Sequence, residues 1–151
     1  MGALLTVIDE ALQRRGWPHE QMPGRDVITF PFQGDDERWV VYAEAREDDE
    51  RVLVYSVVPF NVPRERRAAV AEYITRANYG LHIGNFELDL DDGEVRFKTS
   101  LDGKGIGLSS ELVDRVIVLN LHATNRYVGG LAALMGDDEA SPAQLIERIE
   151  V

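Results

Sequence analysis

The stretch that decides the fold is residues 85–101, NFELDLDDGEVRFKTSL, which has the pattern of a β-hairpin. Asp92-Gly93 is a dipeptide favoured in two-residue turns, because such turns need positive φ at their central residues. A turn at this dipeptide predicts these cross-strand pairs: Leu90 with Val95, Leu88 with Phe97, Phe86 with Thr99, Asp89 with Arg96, and Glu87 with Lys98. One face of the hairpin is then apolar and the other is charge-paired, as in an antiparallel sheet covered on one side.

Length and composition predict one globular domain over residues 1–151. Hydrophobic residues make up 44% of the chain, which is enough for a core that needs no disulfide or metal support. The chain has no cysteine, which excludes disulfides, thiolate metal sites and cysteine nucleophiles and favours a cytosolic location. Its first residues lack the basic start of a signal peptide.

The charge balance is strongly acidic. Sixteen basic and 27 acidic residues give a formal net charge of −11. Such a field repels phosphate backbones and anionic lipid, so we expect neither a nucleic acid nor a membrane as partner.

Hydrophobic periodicity predicts the remaining elements. They are a first helix over residues 4–12, strands over 27–32, 38–46 and 51–60, a second helix from Pro63 to Gly80, the hairpin, a third helix from Ser109 or Ser110 to Met135, and a short helix after Ser141-Pro142. The predicted fold is therefore α+β, with a five-stranded antiparallel sheet, helices on one face, and the order α-β-β-β-α-β-β-α plus the short terminal helix.

Three segments carry a resemblance to a known family: residues 73–79 (YITRANY), 84–89 (GNFELD) and 92–97 (DGEVRF). A helix that ends in an Asn-containing turn, a Gly-x-Phe strand entry and an acidic hairpin resemble the YbjN family of bacterial proteins, labelled as sensory transduction regulators. The similarity in element order covers about residues 3–135. The resemblance implies a fold like that of the class I type III secretion chaperones, which are small acidic dimers that hold partner segments in extended form. It supplies no catalytic residue, and a shared fold does not settle function.

The loop from Gly103 to Gly107, GKGIG, is the main candidate for small-ligand chemistry because it follows a strand and precedes a helix. A dinucleotide fingerprint would need glycine at Leu108, and the Gly-Lys-Ser/Thr spacing of a P-loop is absent. A flexible connection is the favoured interpretation. A nucleotide or metal sensor, or an enzyme, that uses this loop with Lys104 and His82 is the alternative.

Other signals for chemistry are weak. The three histidines, His19, His82 and His122, show no pair at helical metal spacing. We therefore predict no catalytic, cofactor-binding or metal-binding residue, no cofactor, and a protein that is not an enzyme.

The third helix predicts a protein contact, because Leu112, Leu119 and Ala123 widen its apolar stripe beyond what one contact surface needs. Asn120 and Thr124 lie within the stripe and need hydrogen-bond partners. The same helix of a second subunit can supply them, or the sheet of the same chain, or exposure to solvent. The predicted contact residues are Val116, Asn120, Thr124, Tyr127 and Leu131.

Arg64 and Arg67 lie at the start of the second helix, where the macrodipole disfavours cations. They predict either a contact with an acidic partner or second subunit, or a solvated face. Together with the family resemblance, these features predict a homodimeric protein-binding module, chaperone-like in shape and regulatory in role, with an unidentified protein partner.

Overall fold

The computed structural model describes residues 1–150 as an α+β fold. Its elements are α1 (Ala3–Arg15), β1 (Glu20–Gln21), β2 (Val27–Gln33), β3 (Arg38–Arg46), β4 (Arg51–Val57), a 3₁₀ turn (Arg64–Arg66), α2 (Arg67–Gly80), β5 (Asn85–Leu88), β6 (Val95–Asp102), α3 (Ser110–Gly136) and α4 (Pro142–Glu150). Among the helices of residues 1–150, none is long and apolar enough to cross a membrane.

The strands form one antiparallel sheet in the order β1-β2-β3-β4-β6-β5. The prediction of five strands is corrected to six, because Glu20 and Gln21 pair with Thr29 and Ile28 at the edge of β2. Two polar residues after a Trp-Pro-His segment carry no alternation of apolar side chains, so periodicity could not reveal this strand.

The helices cover one face of the sheet. The strand residues that face them are buried, and they include Phe30, Trp39, Val41, Val54 and Phe97. Side chains at the alternate positions, such as Tyr42, Tyr55 and Lys98, are only half-buried on the opposite face. Because successive strand side chains point to opposite sides, this contrast gives the sheet one dry face and one wet face, as predicted.

The hairpin has the predicted faces but a different register. Phe86 pairs with Phe97 and Leu88 with Val95, two residues away from the predicted pairs. The turn is longer than two residues, since the N–H of Asp89 donates to the carbonyl of Glu94 (2.9 Å). A shift of two keeps every side chain on its original face, and Glu87 still contacts Lys98 at 3.0 Å, now as a diagonal neighbour.

The second and third helices differ in how well their ends were predicted. The chain after Pro63 first makes the 3₁₀ turn, and the α-helix begins only at Arg67, which corrects the predicted start. Its predicted end at Gly80 is confirmed. Ser109 caps α3 by accepting a hydrogen bond from the N–H of Leu112 (3.2 Å), as its position before the helix predicts.

Candidate protein-interaction surface

The inner side of α3 is joined to the sheet by a buried polar network. Asn120 Nδ2 donates to the carbonyls of Val54 (2.9 Å) and Phe97 (3.1 Å). Its Oδ1 accepts from Ser56 Oγ (2.5 Å), which itself accepts from Trp39 Nε1 (2.9 Å). Every member lies in the sheet or in α3 of the same chain. Asn120 is therefore satisfied by its own sheet, which is one of the alternatives that the sequence left open.

The other predicted contact residues on α3 are also internal. All five are at most 4% exposed, because α1 and α2 flank α3 and the sheet lies beneath it: Val116, Asn120, Thr124, Tyr127 and Leu131. Thr124 Oγ1 donates to the carbonyl of Asn120 one turn earlier (2.8 Å). The prediction that these side chains present a surface to a second subunit is corrected, since each packs within its own chain.

The arginines before α2 have separate roles. Arg66 donates to the carbonyls of Leu134 and Asp137, both at 2.7 Å, and so places a cation at the C-terminus of α3. Arg67 donates to the carbonyls of Val62 (3.0 Å) and Leu90 (2.8 Å), which ties the hairpin turn to α2. Arg67 therefore serves internal structure instead of the predicted partner contact. Arg64 is exposed, and its contact with a partner stays a prediction.

The outer side of α3 presents a continuous exposed ridge, which we define as Leu112, Arg115, Leu119, His122 and Arg126. Their spacing of three and four residues places them on one helical face. Leu112 is 40% exposed and Leu119 is 36% exposed. These two leucines belong to the excess width of the predicted apolar stripe, and it is this excess that reaches the surface. The ridge is also cationic, although the whole chain has a net charge of −11.

The β2–β3 turn flanks the ridge, and its residues Asp35 and Asp36 form what we call the acidic wall. Asn125 holds the turn in place, because its Oδ1 accepts from the N–H of Asp35 (2.8 Å) and its Nδ2 donates to Asp35 Oδ2 (3.0 Å). Gly34 permits this approach, since a Cβ there would lie 2.5 Å from Asn125 Oδ1. The contact joins residues 90 positions apart, so the sequence offered no signal for it beyond an acidic loop.

The last residue of α2 and the three residues after it, residues 80–83, form the second wall. Asn78 fixes it by accepting from the N–H of Phe86 (2.7 Å) and donating to the carbonyl of Phe86 (3.1 Å). Gly84 has φ of 81°, and a Cβ there would lie 2.8 Å from the carbonyl oxygen of Lys98. These contacts explain the Asn-containing turn and the Gly-x-Phe strand entry that the sequence analysis singled out.

The two walls and the ridge enclose an open groove of about 860 Å³. Its apolar surface comes from Ile83, which is 49% exposed, and from Leu119. Its charged and imidazole groups are Asp35, Asp36, His82, His122 and Arg126. A groove that is wide, open and mixed in polarity suits the side chains of another protein better than an enclosed small molecule.

The glycine loop has a different role from the one that a phosphate site requires. Glu50 Oε2 accepts from the N–H of Gly105 (3.1 Å), and Lys104 Nζ donates to the carbonyl of Asp48 (3.2 Å). The acidic β3–β4 turn therefore already engages the groups that would bind a phosphate. His82 lines the groove over α3, so the two residues of the small-ligand alternative have different surroundings. Within residues 1–150, no group of three or more carboxylate or imidazole side chains could hold a metal ion.

Comparisons with known proteins agree with this fold. YbjN from E. coli, titled "a putative transcription regulator", superposes with a TM-score of 0.68 at 14% identity, covering 85% of this chain and 91% of that chain. The HopA1–SchA chaperone–effector complex gives 0.50 at 15% identity, covering 80% and 88%. The ExsC–ExsE complex gives 0.51 at 17% identity, covering 85% and 97%.

No curated protein matches the chain. A family model does: the YbjN model, described as "Putative bacterial sensory transduction regulator", matches residues 4–133. This match includes the hairpin, both walls of the groove and the whole ridge on α3. On the strength of a match over most of its length, the chain belongs to the YbjN family.

Proposed function

We propose that the protein is a non-enzymatic, homodimeric protein-binding module with a regulatory role, and that two copies meet through the α3 ridge. The main observation that supports this proposal is the exposed, cationic and partly apolar ridge on an acidic protein. Exposed apolar groups arranged along one helix face are a common feature of protein contacts. A cytosolic location is part of this proposal, because the chain has no cysteine and so none of the disulfides common in exported proteins.

The ridge is complementary to itself if two copies of α3 cross antiparallel at Leu119. At 1.5 Å per residue, Asp35, held at the level of Asn125, lies about 9 Å from Leu119 along the axis, and Arg115 lies about 6 Å away in the opposite direction. A two-fold axis at Leu119 then brings Asp35 of each copy near Arg115 of the other. Such an isologous contact buries both leucines and pairs the acidic wall with the cationic ridge.

The fold neighbours support a protein-binding role. One of them is a chaperone in complex with its effector, and YbjN from E. coli is described as a transcription regulator. The open groove shares Leu119, His122 and Arg126 with the ridge, so in this proposal its apolar and charged groups contact the second copy. In this proposal the regulatory role depends on binding a protein and not on chemistry at a catalytic centre.

Light scattering after gel filtration tests the dimer. We expect the wild-type chain at micromolar concentration to have twice its chain mass of 17.0 kDa. Leu119→Asp should give a monomer, because it places a carboxylate at the centre of the contact. Leu90→Asp is the matched control, since Leu90 is 65% exposed in the β5–β6 turn, away from the ridge. A monomeric wild type, or equal masses for the two variants, would contradict the proposal.

A further inference from the structure

The C-terminal helix α4 docks on the body of the protein as a separate amphipathic unit. It packs against α2 and α3, yet among its nine residues only Ile146 is buried. Leu145 and Ile149 are half-buried against the core, and Gln144 and Arg148 are exposed. A helix of nine residues is too short to be stable by itself in water, so its helical form depends on docking.

The surface between α2 and α3 that α4 covers forms a second groove. This second groove also carries polar groups that suit the end of a helix. Arg126 donates to the carbonyl of Ile149 (3.4 Å), which places a cation where the helix macrodipole favours one. The hydroxyl of Tyr127 donates to Glu150 Oε1 (3.0 Å). Burial and then the hydrogen bond to this carboxylate raise the pKa of Tyr127. The groove thus contacts an apolar stripe, an acidic side chain and the C-terminal carbonyls of one helix.

Contacts that do not involve α4 hold the floor of this groove together. Tyr73 donates its hydroxyl proton to the carbonyl of Tyr127 (2.7 Å), which joins α2 directly to α3. Gly130 permits this contact, because a Cβ there would lie 2.2 Å from the Tyr73 oxygen. Arg66 then holds the end of α3 where the connection to α4 begins. The groove should therefore keep its shape when α4 leaves.

The position of α4 in the chain suits a displaceable element. It lies beyond residues 4–133, the part that matches the family model. Its connection to α3 includes Asp137, Asp138 and Glu139, all of them exposed. A short connection of this kind gives the helix an effective concentration in the millimolar range at the groove. Docking of α4 in the groove is then favourable, but a ligand that binds the groove tightly enough can displace α4.

We propose that the groove between α2 and α3 is a docking site for an amphipathic helix of a partner protein, and that α4 is its built-in competitor. The partner helix carries the pattern that α4 shows: two adjacent apolar residues, a third one turn later, and an acidic residue directly after it, as in Leu145, Ile146, Ile149 and Glu150. A partner helix binds by displacing α4, so α4 sets the affinity threshold for access. This surface shares Arg126 with the ridge of the proposed dimer but does not include Leu119, the centre of that contact.

Fluorescence anisotropy with the full-length chain tests the proposal. The probe is a labelled peptide of the α4 sequence, SPAQLIERIE. We expect Ile146→Asp/Ile149→Asp, which releases α4, to bind this peptide at least tenfold more tightly than the wild type does. Gln144→Asp/Arg148→Asp is the matched control, since it changes only exposed residues of the same helix and should bind like the wild type. A peptide with aspartate at the positions of Ile146 and Ile149 should not bind.

Circular dichroism and a cooperative melt establish that the released variant is folded. A folded variant that binds the peptide no more tightly than the wild type would overturn the proposal. Repeating the titration in the Leu119→Asp background tests the docking site independently of the proposed dimer, because peptide binding should persist in a monomer.

Hydrogen exchange on the wild type provides a test that depends on no variant. We expect the amides of Ile146 and Ile149 to exchange at least a hundredfold faster than those of Asn120 and Thr124, through opening of α4 alone. Equal rates would mean that α4 leaves only on global unfolding, and the groove would then be inaccessible to a partner.

Discussion

Asn120 shows how one residue can join three strands to a helix. Through Ser56 its side chain connects α3 to Trp39 on β3, and its amide reaches backbone carbonyls on β4 and β6. The amide is fully buried and all its hydrogen-bonding groups have partners. Removing one partner from such a network costs more than the bond itself contributes, because the remaining buried groups lose their partners without regaining water.

We therefore expect Asn120→Ala to lower the free energy of unfolding by about 3 kcal/mol, from unsatisfied polar groups and a small cavity together. Chemical denaturation at pH 7 measures this change. Asn125→Ala is the control on the same helix: its bonds to Asp35 are exposed, and we expect a loss of about 1 kcal/mol or less. Equal costs for the two variants would argue against the network as a source of stability.

At the scale of elements, α1 is capped by a distant residue instead of its own sequence. Gly2 precedes the helix and offers no side-chain oxygen. The Glu47 carboxylate, from the β3–β4 turn, accepts from the N–H groups of Leu4 and Leu5, both at 3.0 Å. A carboxylate at this position satisfies two free donors and also interacts favourably with the helix macrodipole.

Glu47→Ala should therefore lower stability by about 1–2 kcal/mol, the usual effect of losing an N-cap. Gly2→Ala should also be destabilising, because a Cβ at Gly2 would lie 2.3 Å from Glu47 Oε2 and would displace the carboxylate. A double-mutant cycle by thermal or urea unfolding checks the mechanism. The cost of Gly2→Ala should largely disappear in the Glu47→Ala background, and additive effects would contradict the cap.

At the scale of the whole molecule, one histidine makes global stability depend on pH. His19 Nε2 contacts Asp9 Oδ1 at 2.7 Å, and Nδ1 contacts the carbonyl of Trp17 at 2.6 Å. Burial opposes the charge on the ring, but the Trp17 carbonyl and the Asp9 carboxylate outweigh it, so the pKa of His19 is raised. A raised folded-state pKa stabilises the fold below the unfolded value, about 6.5, and this contribution is lost as pH rises through the folded value.

The melting temperature of the wild type should consequently exceed that of His19→Gln by more at pH 5.5 than at pH 8.5. Thermal melts of both proteins across this range measure the difference. Asp9→Asn, which replaces the carboxylate that contacts His19 Nε2, is the second variant and should weaken this dependence on pH. A gap between wild type and His19→Gln that stays constant or widens with rising pH would contradict the assigned interaction.

The candidate site could be predicted from the sequence only in part. The excess apolar width of the third helix was visible, because Leu112 and Leu119 fall outside the stripe that one contact surface needs. Sequence spacing could not tell which edge of that stripe would stay exposed. That depends on where α1, α2 and the sheet pack, and they cover the side that contains Asn120 and Tyr127.

By itself the sequence determined which segments form helices and long strands and which side of each faces the core. It could do so because apolar residues repeat with periods of 3.6 and 2 along the chain. The tertiary structure alone decided the hairpin register, the added strand β1, the partners of Asn120 and the docking of α4. A register shift of two leaves the pattern of faces unchanged, and a contact such as Asn125 with Asp35 joins residues 90 positions apart. Such choices depend on how the complete set of surfaces fits together, which no local pattern records.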